Sequence, residues 1–528
     1  MNKKNALISL TNKDKLEELV SNLIKNDYQI VATTSTAQAI KDLGYECQLV
    51  EDIAHFPEIL NGRVKTLQPE IHGGILADLN NDKHLEDLSK YHLKAFSLVV
   101  CNLYEFEKTL KKEDEAFKDK LNNNSKEELE KIKNKNIIES IDIGGITLIR
   151  AASKNYEHVS ILCNPEDYDE FIERLNNDEI DYLYNQKLAC KGFIHTANYD
   201  SLIANYFMKI TNNDDQLLIS APKMQELRYG ENPHQQAQVY LNKEPLSYSI
   251  NTSNVIQGKE LSYNNMVDVD TAYQLIMEYD INCAVAIKHA TPCGIGWGKD
   301  IEEAYDNCFK VDSKSIFGGI VILNNKVTKS LAKKLTKIFL EIVIAPSYEE
   351  DALEIFKAKK NLRIIKGDFN NNNKSYSQTK SIRGAYLVQT GQQNPLIIEQ
   401  VTHTKVDLNT QAQLNMLNKV VKHVKSNAIV IGQNNHVLGI CGGMVNRIDA
   451  AKYALNYALN NINYHEDEVL LLASDGFFPF NDIVELCIEN NIKFIIQPGG
   501  SLNDEKMIEA CDQAAIGMVF TKQRFFRH

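Results

Sequence analysis

The ten cysteines include no C-x-x-C pair and follow no regular spacing. That argues against a disulfide framework, and Cys101, Cys163, Cys283 and Cys441, each set in an apolar run, read as reduced, packed thiols. No stretch of about 18 consecutive apolar residues occurs, so no membrane-spanning helix is predicted. Residues 1–10 hold lysines but only a five-residue apolar run, too short for a secretory signal. Positive charge is not in excess either: 58 Lys and Arg stand against 70 Asp and Glu, a net charge of −12. That sign argues against nucleic acid or an anionic membrane as partner, while a local basic site can still hold a small anion. No internal repeat is visible in the sequence. A soluble, cytoplasmic protein is expected.

What is present is an ordinary globular composition, 43% hydrophobic and 24% charged, in 528 residues. That length is too great for one core, so about two to four domains are expected. The first half alternates strands and helices. Apolar runs at Ala6–Leu10, Tyr28–Ala32, Ser97–Cys101 and His158–Cys163 read as strands buried on both faces of a parallel α/β sheet. Helical spacing fills Lys13–Lys25 and about Thr36–Leu43. Lys108–Asn136, rich in Lys, Glu and Asn, reads as a charged, solvated helical insertion. Tyr182–Lys209 reads as a long amphipathic helix, followed by a polar break at Thr211–Gln216. Further strands are predicted near Ala284–Ile287, Ser315–Leu323, Glu341–Ala345, Ala428–Ile431, Val469–Ala473 and Lys493–Gln497. Gly367–Lys380 reads as a low-complexity loop between subdomains.

The densest chemistry lies in Ala286–Ile295, with Lys288, His289, Thr291 and Cys293. An apolar run delivers Lys288 and His289 onto a turn marked by Pro292 and Gly294, where a sheet would present acid–base groups to a cleft. Gly294–Lys299 reads as a turn-rich loop after that strand; its spacing fails the phosphate-loop pattern. Upstream, Arg63 and Lys65 follow Gly62, Tyr104 stands at the end of a strand, and Asp142 precedes a helix containing Arg150 and Lys154. Two lysines, a tyrosine and an aspartate at strand ends would bind a phosphorylated anion and move a proton.

At Gly62–Thr66, Asn102–Tyr104 and Asp142–Asn155 the chain resembles the inosinate cyclohydrolase domain of the phosphoribosylaminoimidazolecarboxamide (AICAR) formyltransferase/IMP cyclohydrolase family. Leu227–Gln235, Leu261–Asn265, Lys288–Gly294, Phe317–Gly319, Ser426–Asn427, Ser474–Phe480, Gln497–Ser501 and Arg524–His528 resemble its transformylase half, in order and nearly end to end. The resemblance implies a methylglyoxal synthase-like parallel-sheet domain at 1–180 and a helical linker at 181–220. It implies a transformylase region at 221–528 made of two cytidine deaminase-like α/β subdomains, divided near 367–380. It further implies formyl transfer from 10-formyltetrahydrofolate to AICAR, giving FAICAR, then dehydrative ring closure to IMP. By the same resemblance His289 is the base and Lys288 the oxyanion stabiliser or acid of formyl transfer, with Asn427 orienting the substrate amide. Arg228, Tyr229, Arg447, Phe477 and Arg524 would bind substrate there, with Phe478 and Phe480 serving the core. Lys65, Tyr104, Asp142 and Lys154 would carry ring closure, with Thr11, Lys13, Thr34, Ser35, Thr36, Arg63, Thr66 and Asn102 as substrate contacts. No metal is required by either step, a monovalent cation site is left open, and a homodimer with the transformylase site at its interface is implied.

The chain departs from the family pattern at Thr34–Ser35–Thr36, where a Gly–Gly–Thr turn is usual; a turn needing φ > 0 would strain these residues. Gln68 replaces a common His and Glu105 a common Pro. Two alternatives stand beside the main reading. In one, the protein is a transformylase only, with a non-catalytic, effector-binding N-terminal domain. The other is a zinc nucleotide deaminase, since Pro292–Cys293 is similar to its ligand turn; but Gly296 stands where the second thiolate belongs.

Overall fold

The computed structural model describes residues 4–120, 126–242, 248–250, 253–370, 377–391 and 396–528. Its chain forms two compact units, Met1–Ser220 and Ala221–His528.

In the first unit the strands are β1 (Lys4–Ser9), β2 (Tyr28–Ala32), β3 (Gln48–Leu49), β4 (Leu98–Cys101) and β5 (Ser160–Leu162). All neighbours run parallel, in the order β3-β2-β1-β4-β5. Val99, Val100 and Cys101 have no exposed surface, as a strand covered by helices on both faces requires. The helix Leu16–Lys25 buries Leu16, Leu19, Val20 and Leu23, one stripe at helical spacing; each contributes about 1.5–3 kcal/mol by leaving water. The chain runs one way across the sheet from β1 to β3 and then crosses back to β4. The reversal opens a crevice between the ends of β1 and β4, the usual ligand position in such sheets.

The charged segment forms the helices Phe106–Lys120 and Lys126–Glu139. Within Lys108–Asn136 Leu129 is buried, and Phe106 and Ile137 just outside its two ends are buried as well. Phe106 meets Tyr199 and Tyr206 edge-on, at 6.3 and 6.0 Å between ring centroids. Those tyrosines belong to the helix Tyr182–Thr211, which packs on the helix Gly144–Lys154 and on β5 within the first unit.

The second unit opens with an antiparallel ribbon, β6 (Lys223–Leu227) and β7 (Ala237–Tyr240). A mixed sheet follows: β8 (Asn254–Gln257), β9 (Cys283–Lys288), β10 (Thr291–Trp297), β11 (Ile320–Leu323), β12 (Ile342–Ala345) and β13 (Arg363–Lys366). After a second ribbon, β14 (Ser377–Ile382) with β15 (Ala385–Thr390), comes another sheet. Its strands are β16 (Glu399–Gln400), β17 (Ile429–Gln433), β18 (His436–Cys441), β19 (Leu470–Ser474), β20 (Ile492–Gln497) and β21 (Gly517–Phe520). The orders are β10-β9-β11-β12-β13-β8 and, read from the matching edge, β18-β17-β19-β20-β21-β16. Parallel and antiparallel neighbours also correspond, pair by pair. The second unit is therefore a tandem repeat of topology, in keeping with the two like α/β subdomains expected there, although no repeat is visible residue by residue. Apolar period and strand length suffice to specify such a fold, so side-chain identity need not repeat. Val285 and Ile287 of one sheet share a core with Val430 and Ala473 of the other.

Two other expectations are corrected. Thr291–Trp297 is a strand of the sheet rather than a turn-rich loop. Gly294 and Gly296 there do not mark flexibility: a Cβ at either would meet the backbone around Cys308 in the helix Ile301–Val311, which lies against the strand. Within Gly367–Lys380, Ser377–Lys380 belongs to β14, and 371–376 lie outside the described residues. Among the described residues no helix is long and apolar enough to cross a membrane.

Candidate functional site

In the first unit a cavity of about 540 Å³ opens at the β1/β4 crevice. Its lining brings together Thr11, Lys13, Ser35, Arg63, Lys65, Thr66, Asn102, Tyr104 and Asp142, nine residues named from the sequence. Most stand just past an apolar strand or near the start of a helix, while Arg63, Lys65 and Thr66 come from the loop between Gly62 and the helix Pro69–Leu76. Asn102 links the two walls of the crevice, accepting the Thr11 N–H at 2.7 Å and donating to the Asn12 carbonyl at 2.8 Å. Asp142 sits before the helix Gly144–Lys154 and accepts the Gly145 N–H at 2.7 Å. Its own N–H donates to the Tyr199 hydroxyl at 2.9 Å, so the helix Tyr182–Thr211 fixes its backbone. Burial pushes the Asp142 carboxyl up from its ordinary pKa, against the pull of the Gly145 and Tyr104 N–H groups and the Lys65 charge. A carboxylate held this way is a better proton acceptor than a free one.

Thr34, Thr36 and Lys154 are not brought into this lining. Thr36 is wholly buried; its hydroxyl accepts the Leu10 N–H at 3.0 Å and donates to the Leu10 carbonyl at 3.2 Å. Thr34 is exposed and donates to Glu58 at 3.2 Å. Lys154 ends an eleven-residue helix, roughly 15 Å from the turn that carries Asp142. The expected strain at Thr34–Ser35 does not arise, because both residues begin the helix Thr34–Asp42 with Thr33 before it, and neither has positive φ. Glu58, 3.3 Å from Lys65, is a partner that no sequence motif signals.

In the second unit Lys288 and His289 occupy the hairpin between β9 and β10. Lys288 pairs with Thr291, leaving His289 and Ala290 as a two-residue turn, with φ of 54° and 55°. Lys288 Nζ donates to the Phe317 carbonyl at 2.7 Å, which fixes the ammonium beside Phe317–Gly319. Asp268, on the helix Tyr263–Ile276, accepts the Ala290 N–H at 2.6 Å. Its carboxyl is raised by burial and pulled back by the His289 and Ala290 N–H groups and the His289 charge. Cys293 donates its Sγ–H to the Ala286 carbonyl at 3.5 Å, and burial pushes the thiol up to about 12. It is a packed thiol, not a metal-ligating thiolate.

Asn427 lies before β17. Its amide nitrogen donates to the Met444 carbonyl at 3.0 Å, and its oxygen accepts from Arg447 at 2.8 Å. Arg447 also donates to Ser474 at 3.0 Å and pairs with Asp475. Asp475 in turn accepts the Ala428 N–H at 3.0 Å and the Ser426 hydroxyl. Arg447 is thus buried among protein groups rather than turned outward. Arg228 is exposed and lies 5.7 Å over the Tyr229 ring, and Arg524 lies 5.0 Å over Phe526. Phe477 is half-buried and Phe478 is in the core, but Phe480 is 66% exposed and does not serve it. The helix Tyr263–Ile276 relates the two clusters, with Asp268 on the His289 turn and Asp270 in the field of Arg527. The Arg527 N–H donates to the Ser426 hydroxyl at 3.2 Å. Asp268 and the role of Asp475 were missed in the sequence, since a lone carboxylate within a helix or motif carries no sign of its distant partner.

Residues 152–457, more than half of the chain, match the family described as AICARFT/IMPCHase bienzyme, and residues 15–147 match the MGS-like domain. The chain is 42% identical over 536 residues to the bifunctional purine biosynthesis protein PurH of Lactobacillus acidophilus, covering 99% of this chain and 100% of the relative. It is 40% identical over 532 residues to the protein of that name from Halalkalibacterium halodurans, covering 100% of both. The Staphylococcus aureus protein of the same name is 40% identical over 531 residues, covering 99% of this chain and 100% of the relative.

Proposed function

The chain belongs to the AICARFT/IMPCHase bienzyme family, and from that premise we propose how its two units divide the chemistry. It is a bifunctional enzyme of de novo purine biosynthesis, an AICAR formyltransferase and IMP cyclohydrolase. Its family implies AICAR and FAICAR as substrates and 10-formyltetrahydrofolate as cosubstrate.

In our reading the first unit closes the ring and the second transfers the formyl group. The observation that carries this is the cavity at the β1/β4 crevice, where Lys65, Tyr104 and Asp142 share one lining. Ring closure needs a carboxamide nitrogen, a weak nucleophile, to attack the formyl carbon and then lose water. Asp142, with its raised pKa, accepts the amide proton, and Lys65 stabilises the oxyanion. Lys13, Ser35, Thr66 and the Thr11 hydroxyl hold the phosphate end. Lys154 stands at the far end of its helix, at a distance from this chemistry.

In formyl transfer the attacking amine is deactivated by its aromatic ring. His289 takes its proton, and Lys288 steadies the tetrahedral oxyanion or protonates the departing folate nitrogen. Asn427 orients the substrate carboxamide, held in place by Arg447. Arg228, Tyr229, Phe477 and Arg524 bind nucleotide or folate. Both steps are acid–base chemistry and call for no metal. The protein acts in the cytoplasm as a homodimer whose second protomer completes the formyl-transfer site; exposure of Arg228 and Arg524 in the single chain supports that.

Absorbance-monitored formyl transfer with products identified by mass tests the division. His289→Ala is expected to abolish transfer, and Lys65→Ala to accumulate FAICAR. Ring closure surviving in Lys65→Ala, or transfer surviving in His289→Ala, overturns the corresponding assignment.

A further inference from the structure

The hairpin that carries His289 has a counterpart in the repeated sheet. There Gln433 pairs with His436, and the two-residue turn is Asn434–Asn435, with φ of 48° and 61°. Both turns therefore place two consecutive residues in the left-handed region, the geometry that hairpin twist favours. Asparagine tolerates that region because its short polar side chain bonds locally. Histidine followed by alanine has no such compensation at the second position: the Ala290 methyl crowds the backbone, and nothing in alanine offsets the cost. The same fold thus solves the same turn twice, once with suitable residues and once against their preference.

Each turn is backed by a side-chain acceptor from the preceding helix: Gln413 of the helix Leu408–Val421 accepts the Asn435 N–H at 3.0 Å behind the second, and a buried carboxylate stands behind the first. Asp268 accepts the Ala290 N–H at 2.6 Å and also receives the His289 N–H. Its helix begins at a well-made cap, where Ser262 accepts the Asn265 N–H at 3.2 Å and Asn265 accepts the Ser262 N–H at 3.1 Å. Asp268 therefore projects from a fixed base.

We propose that Asp268 is the positioning residue of the formyl-transfer site, its carboxylate holding the strained His289–Ala290 turn so that the imidazole stays at the reacting amine. Asp268 touches backbone and acts through His289, so it is not itself catalytic. The proposal rests on the reading of His289 as the base. It makes two demands. An acceptor oxygen, not a negative charge, is what the turn needs; and a residue at 290 that enters the left-handed region freely makes the acceptor dispensable.

The test uses the full-length enzyme, with steady-state kinetics for AICAR and 10-formyltetrahydrofolate and, in parallel, ring closure of FAICAR as a check on folding. Asp268→Ala is expected to lower kcat for formyl transfer about 10²-fold with a smaller change in KM, because a misplaced base costs turnover more than binding. Asp268→Asn keeps an acceptor and is expected to stay within about tenfold of wild type. Adding Ala290→Gly to Asp268→Ala is expected to recover most of the lost kcat, since glycine takes the turn unaided. Ring closure stays unchanged in all three. Full activity in Asp268→Ala, or equal loss in Asp268→Asn and Asp268→Ala without rescue by Ala290→Gly, overturns the proposal. His289→Ala is run alongside: if it keeps formyl transfer, the reading of the base has failed instead.

Discussion

Arg447 and Asp475 form an ion pair from which water is nearly absent, with 6% and 0% of the two side chains exposed. The pair is completed by Ser474, Asn427 and the Ala428 N–H, so its charges and lone pairs are used within the protein. Removing the cation leaves a buried carboxylate with only the Ala428 N–H and the Ser426 hydroxyl to hold its charge. Arg447→Met is expected to destabilise the second unit by about 3–5 kcal/mol, measured by thermal or denaturant unfolding. Adding Asp475→Asn should restore part of that stability. It should not restore formyl transfer, because Asn427 still lacks the donor that orients it.

Glu278 faces Lys422 at 2.6 Å and His423 at 3.1 Å. Burial alone would raise its pKa, but the hydrogen bonds with His423 and Lys422 and the charge beside it outweigh burial and hold the carboxyl at about 2, against an ordinary 4.5. The folded state thus favours the ionised form. Its stabilisation is complete above the ordinary value and drains away as pH falls toward about 2. Glu278→Gln is expected to cost about 2–3 kcal/mol near neutrality, with the gap to wild type closing between pH 4.5 and 2. Melting curves across that range check it, and a constant gap contradicts it.

For Asp142 the sign is opposite. Burial favours the protonated form, so the folded chain gives up stability as pH rises through the raised pKa and the group ionises. Asp142→Asn keeps an oxygen for the Gly145 N–H and removes the buried charge. It is expected to raise the melting temperature of the first unit, by about 2–4 °C for each kcal/mol gained, while slowing ring closure at least about 10²-fold. In wild type the rate of ring closure should climb with pH through a value above the usual aspartate range.

Gly145 tests the geometry more finely. A Cβ there would lie 2.8 Å from an Asp142 carboxylate oxygen and 2.8 Å from Leu103. Gly145→Ala should therefore displace the carboxylate and lower ring closure by about tenfold or more, with formyl transfer untouched. Separate assays of the two half-reactions decide it.

The fold was most legible where burial is two-sided. β2 spans Tyr28–Ala32, as its apolar run indicates, and β12 fills the end of the predicted Glu341–Ala345. Site residues that stand where an apolar run stops, such as Asn102 and Tyr104 after β4, were legible for the same reason. Partners brought together by an irregular loop or from a separate element were not: Glu58 reaches Lys65 through the loop around Gly62, and Asp268 meets Ala290 from a helix. The glycines of β10 misled because their role, room for a neighbouring helix, depends on a contact that sequence does not display. Nor could the left-handed turn at His289–Ala290 be read, since neither residue prefers it.

That turn also bears on how the enzyme should be engineered. A campaign that selects only for heat resistance would find Asn–Gly at 289–290 an easy gain, because it relaxes the hairpin without touching the core. The winners would keep their fold, their solubility and their ring closure, and would have traded away the imidazole. Libraries at this hairpin are better screened by turnover first and by temperature second.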